Sequence, residues 1–139
     1  MTPLILLGAG KIGETIAQFL HGSGDYELTV ADQDPARLVP IAELGVKTTR
    51  ADFGDARALA ALIGGNAMVI SACPYYLTPA IAQAAVAAGA HYFDLTEDVE
   101  STRRVKAPVM TLRLGRPVAG CRKAREELSR SPFLWFTCQ

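Results

Sequence analysis

The sequence lacks the features that mark a membrane or secreted protein. Its apolar runs, such as residues 4–7, are of strand length and fall short of the roughly 18 to 20 residues that span a bilayer. No basic residue precedes the first apolar run, so we expect no signal peptide. The 3 cysteines, at positions 73, 121 and 138, are too few and too scattered for a disulfide framework or a zinc set. We therefore expect a cytoplasmic protein with neither a membrane nor a nucleic-acid partner.

The net charge of zero hides two unlike parts of the chain. Residues 1–106 hold 8 basic and 12 acidic residues, whereas residues 107–139 hold 6 and 2. The second part is also interrupted by three prolines and ends in an apolar stretch without a helix or strand period. We expect residues 1–106 to form one domain. Residues 107–139 are then an atypical basic tail, either the product of a reading-frame change or a short segment that packs on the sheet or a partner.

Apolar and glycine-bounded segments alternate along residues 1–106 in a β-α pattern. Short connections between them predict a parallel sheet with helices on both faces, a Rossmann-like doubly wound fold with strand order 3-2-1-4-5. The N-cap and proline pairs Asp34-Pro35 and Thr78-Pro79 each predict a helix start. The predicted strands are 3–8, 27–32, 46–50, 67–72 and 91–95, and the predicted helices are 11–22, 35–44, 55–63, 78–88 and 96–107.

A glycine-rich segment, GAGKIG at residues 8–13, follows the first predicted strand and opens the first helix. In this context G-x-G-x-x-G is typical of a loop that cradles the pyrophosphate of a dinucleotide, including the loop residues Lys11 and Ile12. Gly8 would allow the tight turn, Gly10 would let the backbone approach the phosphates, and Gly13 would let the helix pack closely. The helix N-terminus offers N–H groups to the phosphates. The alternative is a strand-helix turn that binds nothing.

An acidic residue, Asp32, follows Gly13 by 19 positions at the end of the second predicted strand. A carboxylate there accepts hydrogen bonds from the ribose hydroxyls and repels a 2′-phosphate. Gln33 adds no positive charge, although Arg37 lies close enough in sequence to swing in. The prediction is therefore NAD in preference to NADP, against the alternative that Asp32 only shapes a turn.

Two further residues near the predicted nucleotide site are open to two interpretations each. Lys11 either leans towards the phosphates or is a solvated lysine at a helix start. Asp52, after the third strand, either approaches the adenine edge or caps its own loop. We count both as candidate cofactor-binding residues.

A second candidate region follows the fourth and fifth predicted strands. Ligands of doubly wound sheets bind at the carboxyl ends of strands, so residues 71–76 should border the nicotinamide half of the cofactor. Asp94 and the adjacent Thr96, Glu97 and Asp98 lie on the same rim, where carboxylates can bind an amino group or manage a proton. Ordinary helix capping by Thr96 or Asp98 is the alternative. An inert buried thiol is favoured for Cys73, because nothing basic flanks it.

Four segments resemble the N-terminal domain of the saccharopine dehydrogenase family: GAGKIGETIAQFL, VADQDPARL, VISACPYYLTPAIAQAAVAAGAHYFDLTED and VESTRRV. The resemblance covers residues 3 to about 106. It implies oxidoreduction at a C–N bond of an amino acid, with hydride passing to or from a nicotinamide. It also implies that Ala72, Cys73 and Pro74 line the cofactor, and that Tyr75 and Asp94 face the substrate and are the candidate catalytic residues.

Members of that family continue into a second domain that closes over the cofactor, and residues 107–139 do not look like its beginning. We therefore expect this chain to be incomplete as a catalyst alone, since hydride transfer needs a closed, dry pocket. The alternative function is a non-catalytic nucleotide-sensing module, similar to the regulatory domains of potassium transport systems. The sequence leaves a homo-oligomer open.

Overall fold

A computed structural model describes residues 1–95 together with Glu100, Arg103 and Arg104. Five parallel strands form one sheet in the order β3-β2-β1-β4-β5. The predicted Rossmann-like fold and strand order are therefore confirmed. The strands are β1 (Thr2–Leu7), β2 (Tyr26–Asp32), β3 (Lys47–Arg50), β4 (Met68–Ser71) and β5 (His91–Asp94).

Four helices alternate with these strands, at nearly the predicted boundaries. They are α1 (Lys11–Ser23), α2 (Pro35–Glu43), α3 (Ala56–Ile63) and α4 (Thr78–Ala87), with a 3-10 turn at Tyr75–Leu77 before α4. In the part of the chain that the structure describes, no helix is long and apolar enough to cross a membrane. Of the helix predicted at 96–107, the described residues Glu100, Arg103 and Arg104 are helical. Its other residues and the tail at 107–139 lie outside the described residues.

The central strand β1 contributes to hydrophobic clusters on both faces of the sheet. Leu4 and Leu6 pack on the α1 and α2 side, whereas Ile5 and Leu7 pack with residues of α3 and α4, and none of the four is more than 2% exposed. A strand covered on both faces needs apolar side chains at every position rather than at alternate ones. This explains the uninterrupted run LILL in the sequence.

The two predicted helix caps have different outcomes. The Asp34 carboxylate accepts from the backbone N–H of Ala36 at 2.9 Å, with proline in the first turn of α2, so this prediction is confirmed. The prediction that Thr78 caps α4 is wrong. The 3-10 turn runs directly into α4, so Thr78 already has helical dihedral angles (φ −51°, ψ −46°) and is 1% exposed. Thr78 is thus the first residue within α4, and Leu77 holds the N-cap position, also with helical dihedral angles (φ −88°, ψ −21°) and without a side-chain cap.

All five strands run in the same direction, so their carboxyl ends meet at one edge of the sheet. The order reverses between β1 and β4, which makes this the switch point where doubly wound sheets bind ligands. The predicted site residues follow the ends of β1, β2, β3, β4 and β5. The fold therefore gathers the candidate site at this carboxyl edge.

Candidate functional site

The turn out of β1 requires glycine at position 8. Gly8 has φ +99°, a conformation that other residues rarely adopt. A Cβ atom there would also lie 2.8 Å from the carbonyl oxygen of Ala72. The turn is therefore packed directly against the segment that leaves β4, and the two halves of the candidate site meet at Gly8.

The first turn of α1 lies against the same loop. A Cβ atom on Gly13 would overlap the carbonyl oxygen of Gly8 and would reach the Ala72 side chain at 3.8 Å. The sequence interpretation gave Gly13 close packing of helix on sheet. The structure shows that the closest contact is with the glycine turn itself, so Gly13 positions the start of α1 over that turn.

The middle glycine faces open space. Gly10 is the N-cap of α1, with φ −69° and ψ −176°, and no side chain caps this helix end. A Cβ atom on Gly10 would meet nothing within 4 Å among the described residues. Backbone N–H groups in the first turn of a helix have no partner within the helix, and a helix N-terminus attracts anions. The loop thus has room and donors for a pyrophosphate.

The Asp32 carboxylate holds this loop in place. It is 5% exposed, and Oδ2 accepts from the backbone N–H of Ala9 at 2.6 Å. Oδ1 accepts from the backbone N–H of Asp34 at 2.8 Å. Asp32 therefore ties the end of β2 both to the glycine loop and to the start of α2. The sequence suggested either a ribose contact or a turn residue, and the structure shows this turn contact.

Three exposed side chains surround the ends of β2 and β3. The Gln33 amide donates to Asp52 Oδ1 at 3.3 Å, and the same oxygen accepts from the backbone N–H of Gly54 at 2.8 Å. Asp52 therefore caps its own loop, which was one of its two interpretations. The Nε of Arg50 donates to the carbonyl oxygen of Gln33 at 3.2 Å.

Arg50 was not among the residues predicted from the sequence. It is the last residue of β3 and the register partner of Asp32 on β2. Its position at the end of a predicted strand was the available clue, because strand ends line the ligand edge of such sheets. The predicted strand order already placed β3 beside β2. What the sequence lacked was the register, which pairs Arg50 with Asp32 and brings this guanidinium to the β2–α2 loop.

The start of α1 exposes two other predicted residues. Lys11 is exposed, and Ile12 is 63% exposed although its spacing helped to predict the helix. Neither side chain is held by a hydrogen bond or ion pair within the described residues. Both therefore remain candidates for contact with a bound molecule rather than parts of the core.

The segment after β4 borders the glycine turn through Ala72, as the packing at Gly8 shows. Cys73 is half-buried, and burial raises the pKa of its thiol from 9.0 to about 12, with the nearby Asp32 charge adding to the rise. A thiol with this pKa stays protonated at neutral pH, which agrees with an inert cysteine. Pro74 is the N-cap of the 3-10 turn that follows.

Two tyrosines stand beyond this segment at the carboxyl edge. Tyr75 and Tyr76 are 59% and 67% exposed, and their rings pack edge to face with centroids 5.9 Å apart. Large exposed aromatic side chains at a ligand edge offer a contact surface. The geometry makes both rings accessible to a molecule or domain that covers this edge.

Asp94 lies at the end of β5, half-buried, with Ser71 as its register partner on β4. Tyr92 lies two residues before Asp94 and therefore on the same face of the sheet, because side chains along a strand alternate between faces. Burial, followed by the negative charge of Asp94, raises the pKa of the Tyr92 hydroxyl. Within the described residues, the hydroxyls of Ser71 and Tyr92 are buried without a hydrogen-bond partner. The neighbouring Thr96, Glu97 and Asp98 lie outside the described residues.

Metal chemistry finds no support in this part of the chain. Among residues 1–95 and the three described beyond them, no group of three histidine, cysteine or acidic side chains is placed to hold a metal ion. The arrangement suits an organic anion instead, because its donors are backbone N–H groups at a glycine loop.

Comparisons with known proteins agree with this geometry. Residues 4–125 match a family model described as the saccharopine dehydrogenase NADP binding domain. The fold is similar to saccharopine dehydrogenase (L-Glu forming) from Saccharomyces cerevisiae, with a TM-score of 0.71 and 24% identity over 78% of this chain. It is also similar to a putative myo-inositol dehydrogenase from Sinorhizobium meliloti, with a TM-score of 0.65 and 26% identity over 80% of this chain.

A third similar structure is triphenylmethane reductase from Citrobacter sp., complexed with NADP(H), with a TM-score of 0.62 and 15% identity over 78% of this chain. The matched region is 25% of the yeast chain, 33% of the Sinorhizobium chain and 45% of the Citrobacter chain. The chain therefore spans less than half of each of these proteins. At identities of 24% and 15%, the yeast and Citrobacter structures support the fold alone.

Proposed function

The chain belongs to the family of saccharopine dehydrogenase NADP binding domains, and on that premise we propose that it is the cofactor-binding part of an oxidoreductase. In this proposal the glycine loop holds the pyrophosphate of a nicotinamide dinucleotide. The carboxyl ends of β1 and β2 then receive the adenosine half, and the ends of β4 and β5 border the nicotinamide half.

The observation that carries this proposal is the open space at Gly10. The helix end has no side-chain cap, and nothing described lies within 4 Å of a Cβ atom built on Gly10. The N–H groups of this first turn have no partner within the helix, so they can donate to an anion that enters the open space. The Asp32 carboxylate restrains the loop by accepting a hydrogen bond from the backbone N–H of Ala9. Rigid donors need no reordering when an anion binds, which favours affinity.

We expect alanine at position 10 to weaken cofactor binding without unfolding the domain. The φ of −69° suits an alanine, and its Cβ would enter the space assigned to the pyrophosphate. The dissociation constant for NAD and for NADP should rise by about tenfold or more, a loss of about 1.4 kcal/mol. Isothermal titration calorimetry measures the binding, and thermal unfolding reports the fold.

The matched control is Gly22→Ala. Gly22 lies in α1 on the exposed surface, again with nothing within 4 Å of a Cβ atom, but far along the helix from the loop. The dissociation constants of the Gly22→Ala variant for NAD and NADP should equal those of the unmodified protein. Unchanged affinity in Gly10→Ala would show that the pyrophosphate does not lie over Gly10.

The finer part of the proposal is the reaction. We infer that hydride passes between the nicotinamide and a carbon bonded to nitrogen in an amino acid, as the family resemblance implies. Tyr75 and Asp94 would face that substrate, Tyr75 through an exposed ring and Asp94 as a carboxylate for an amino group. A closed pocket is needed to exclude water from hydride transfer. A second domain would supply it, since the matched relatives are more than twice as long as the matched region.

A turnover assay tests the reaction. With saccharopine or lysine as substrate and either dinucleotide, we expect reduced nicotinamide to form, and its absorbance measures the rate. Asp94→Asn should lower kcat by about a hundredfold, the lower range for a group that manages a proton. Glu27→Gln, an exposed acidic residue at the start of β2, should have full activity. Turnover would exclude the alternative, a nucleotide-sensing regulatory module, whereas tight binding without turnover would be consistent with that module and with an incomplete enzyme.

The choice between the two dinucleotides is also a finer proposal. The charge of Asp32 alone favours NAD, because a carboxylate at the end of β2 repels a 2′-phosphate. That preference runs contrary to the description of the family, which names NADP. Each Asp32 oxygen accepts one backbone N–H and retains a second acceptor site for a ribose hydroxyl. The preference therefore also depends on the charges of the exposed neighbours.

A further inference from the structure

We propose that Arg50 binds the 2′-phosphate of NADP and outweighs the preference for NAD that Asp32 alone would impose. This inference rests on the proposed dinucleotide site and adds a specificity-determining residue to it. It comes from the position of Arg50 at the end of β3, next to the loop that leaves β2.

The first step is the placement of the guanidinium. Residues Asp32 and Arg50 are register partners at the carboxyl ends of neighbouring strands. The Nε of Arg50 donates to the carbonyl oxygen of Gln33 at 3.2 Å, which holds the side chain against the β2–α2 loop. The residue at the end of β2 lies beside the adenosine ribose in dinucleotide-binding folds. The two terminal nitrogens of Arg50 are therefore available at the edge where a 2′-phosphate would lie.

The second step is the state of the surrounding charges. The Arg50 side chain forms no ion pair within the described residues, and the carbonyl that holds it is neutral. Near the same loop, Arg37 is already paired with Asp34 at 3.6 Å. Lys11, which also has no ion pair in the part of the chain that the structure describes, lies at the start of α1. Among the described residues, Arg50 is therefore the unpaired cation beside the β2–α2 loop whose charge a ligand would compensate.

The third step concerns the carboxylates that would oppose a phosphate. Asp32 accepts two backbone N–H groups, and Asp34 accepts the N–H of Ala36 besides its contact with Arg37. Asp52 accepts the N–H of Gly54 and the amide of Gln33. All three carboxylates are thus oriented by donors of the protein. Their charges remain, so the affinity for the phosphate depends on direct contact with Arg50.

The chemistry of the side chain fits this task. A guanidinium offers donors in a planar fork that matches phosphate oxygens, and it stays charged at every physiological pH. With Nε used by Gln33, the terminal nitrogens can form the paired contact. A lysine at this position would keep the charge but lose the fork, so Arg50→Lys should recover only part of the affinity.

The test measures NADP and NAD binding by isothermal titration calorimetry for the unmodified chain, Arg50→Ala, Arg50→Lys and the control Lys47→Ala. Lys47 is exposed at the other end of the same strand, so its loss changes the charge equally. We expect the unmodified chain to bind NADP at least as tightly as NAD. Arg50→Ala should weaken NADP about tenfold or more and change NAD by less than about twofold, so that NAD becomes preferred.

A fragment pair isolates the phosphate from the rest of the cofactor. Adenosine 2′,5′-bisphosphate should bind more tightly than 5′-AMP to the unmodified chain, and Arg50→Ala should remove the difference while Lys47→Ala retains it. Equal weakening of NAD and NADP in Arg50→Ala would overturn the inference, because it would mean contact with the adenine or support of the loop. If neither dinucleotide bound the unmodified chain, the proposed function itself would fail.

Discussion

Replacing Gly13 by alanine is expected to destabilise the domain by about 3 kcal/mol, at the upper end for a side chain forced into a packed site. The new Cβ would overlap the carbonyl oxygen of Gly8. This neighbour is backbone, held by its own turn at φ +99°, and so it cannot swing aside as a flexible side chain could. Relief would require α1 to move away from β1. The melting temperature should fall by more than about 10 °C, measured by circular dichroism.

Two alanine variants in the same segment serve as controls for Gly13→Ala. Gly22→Ala and Gly10→Ala introduce the same atom where nothing described lies within 4 Å. Gly22→Ala should stabilise the domain by about 0.5–1 kcal/mol, because alanine is the better helix former. A melting temperature for Gly13→Ala equal to that of the unmodified chain would contradict the close contact with Gly8.

Replacing Asp32 by alanine is expected to cost about 3 kcal/mol of stability and to weaken NAD more than NADP, because the loop loses its support in both cases while the repulsion of a 2′-phosphate also disappears. The carboxylate accepts from the N–H groups of Ala9 and Asp34. Ala9 is 4% exposed, so water cannot easily replace the lost acceptor. A buried donor without a partner costs about 1–3 kcal/mol. The loop would also lose the contact that keeps it in its binding conformation, so urea unfolding and calorimetric titration should both change.

The stability and the cofactor affinity of Asp32→Asn should lie between those of the unmodified protein and those of Asp32→Ala. The asparagine retains one carbonyl acceptor but turns an NH₂ group towards the other backbone N–H. Asp34→Asn is the matched control, since asparagine caps helices as well as aspartate does and Asp34 is exposed. Loss of cofactor binding in Asp32→Asn with full stability would indicate direct ribose contact in place of loop support.

Local patterns were sufficient for the fold. The alternation of apolar runs with capped helices predicted the five strands, because each pattern depends on residues within one or two turns of the chain. Their order followed from the rule for doubly wound sheets. Asp34 is an example, since its cap involves only Ala36. Thr78 shows the limit. Its capping motif was present, but the 3-10 turn before it had already fixed a helical backbone at that position.

The candidate site was predicted less completely, because its decisive contacts join distant segments. The glycine motif and Asp32 are recognisable from spacing alone. The contact between Asp32 and Ala9 crosses 23 residues, and it gives Asp32 a role in the loop that no spacing rule describes. Arg50 was missed for a similar reason, since its contact with Gln33 depends on the register between β3 and β2, which the predicted strand order does not fix.

The sequence by itself determined the parallel α/β architecture, the glycine loop and the resemblance to a family of cofactor-binding domains. These follow from periodicity, caps and short motifs, which act between neighbouring residues. Only the tertiary structure decided which atoms restrain the loop and which charged side chains lie beside the β2–α2 loop. Strand pairing sets these contacts, because adjacent strands in a parallel sheet bring together residues that are far apart in the chain. The packing of Ala72 against Gly8 and the position of Arg50 beside Gln33 both arise in this way.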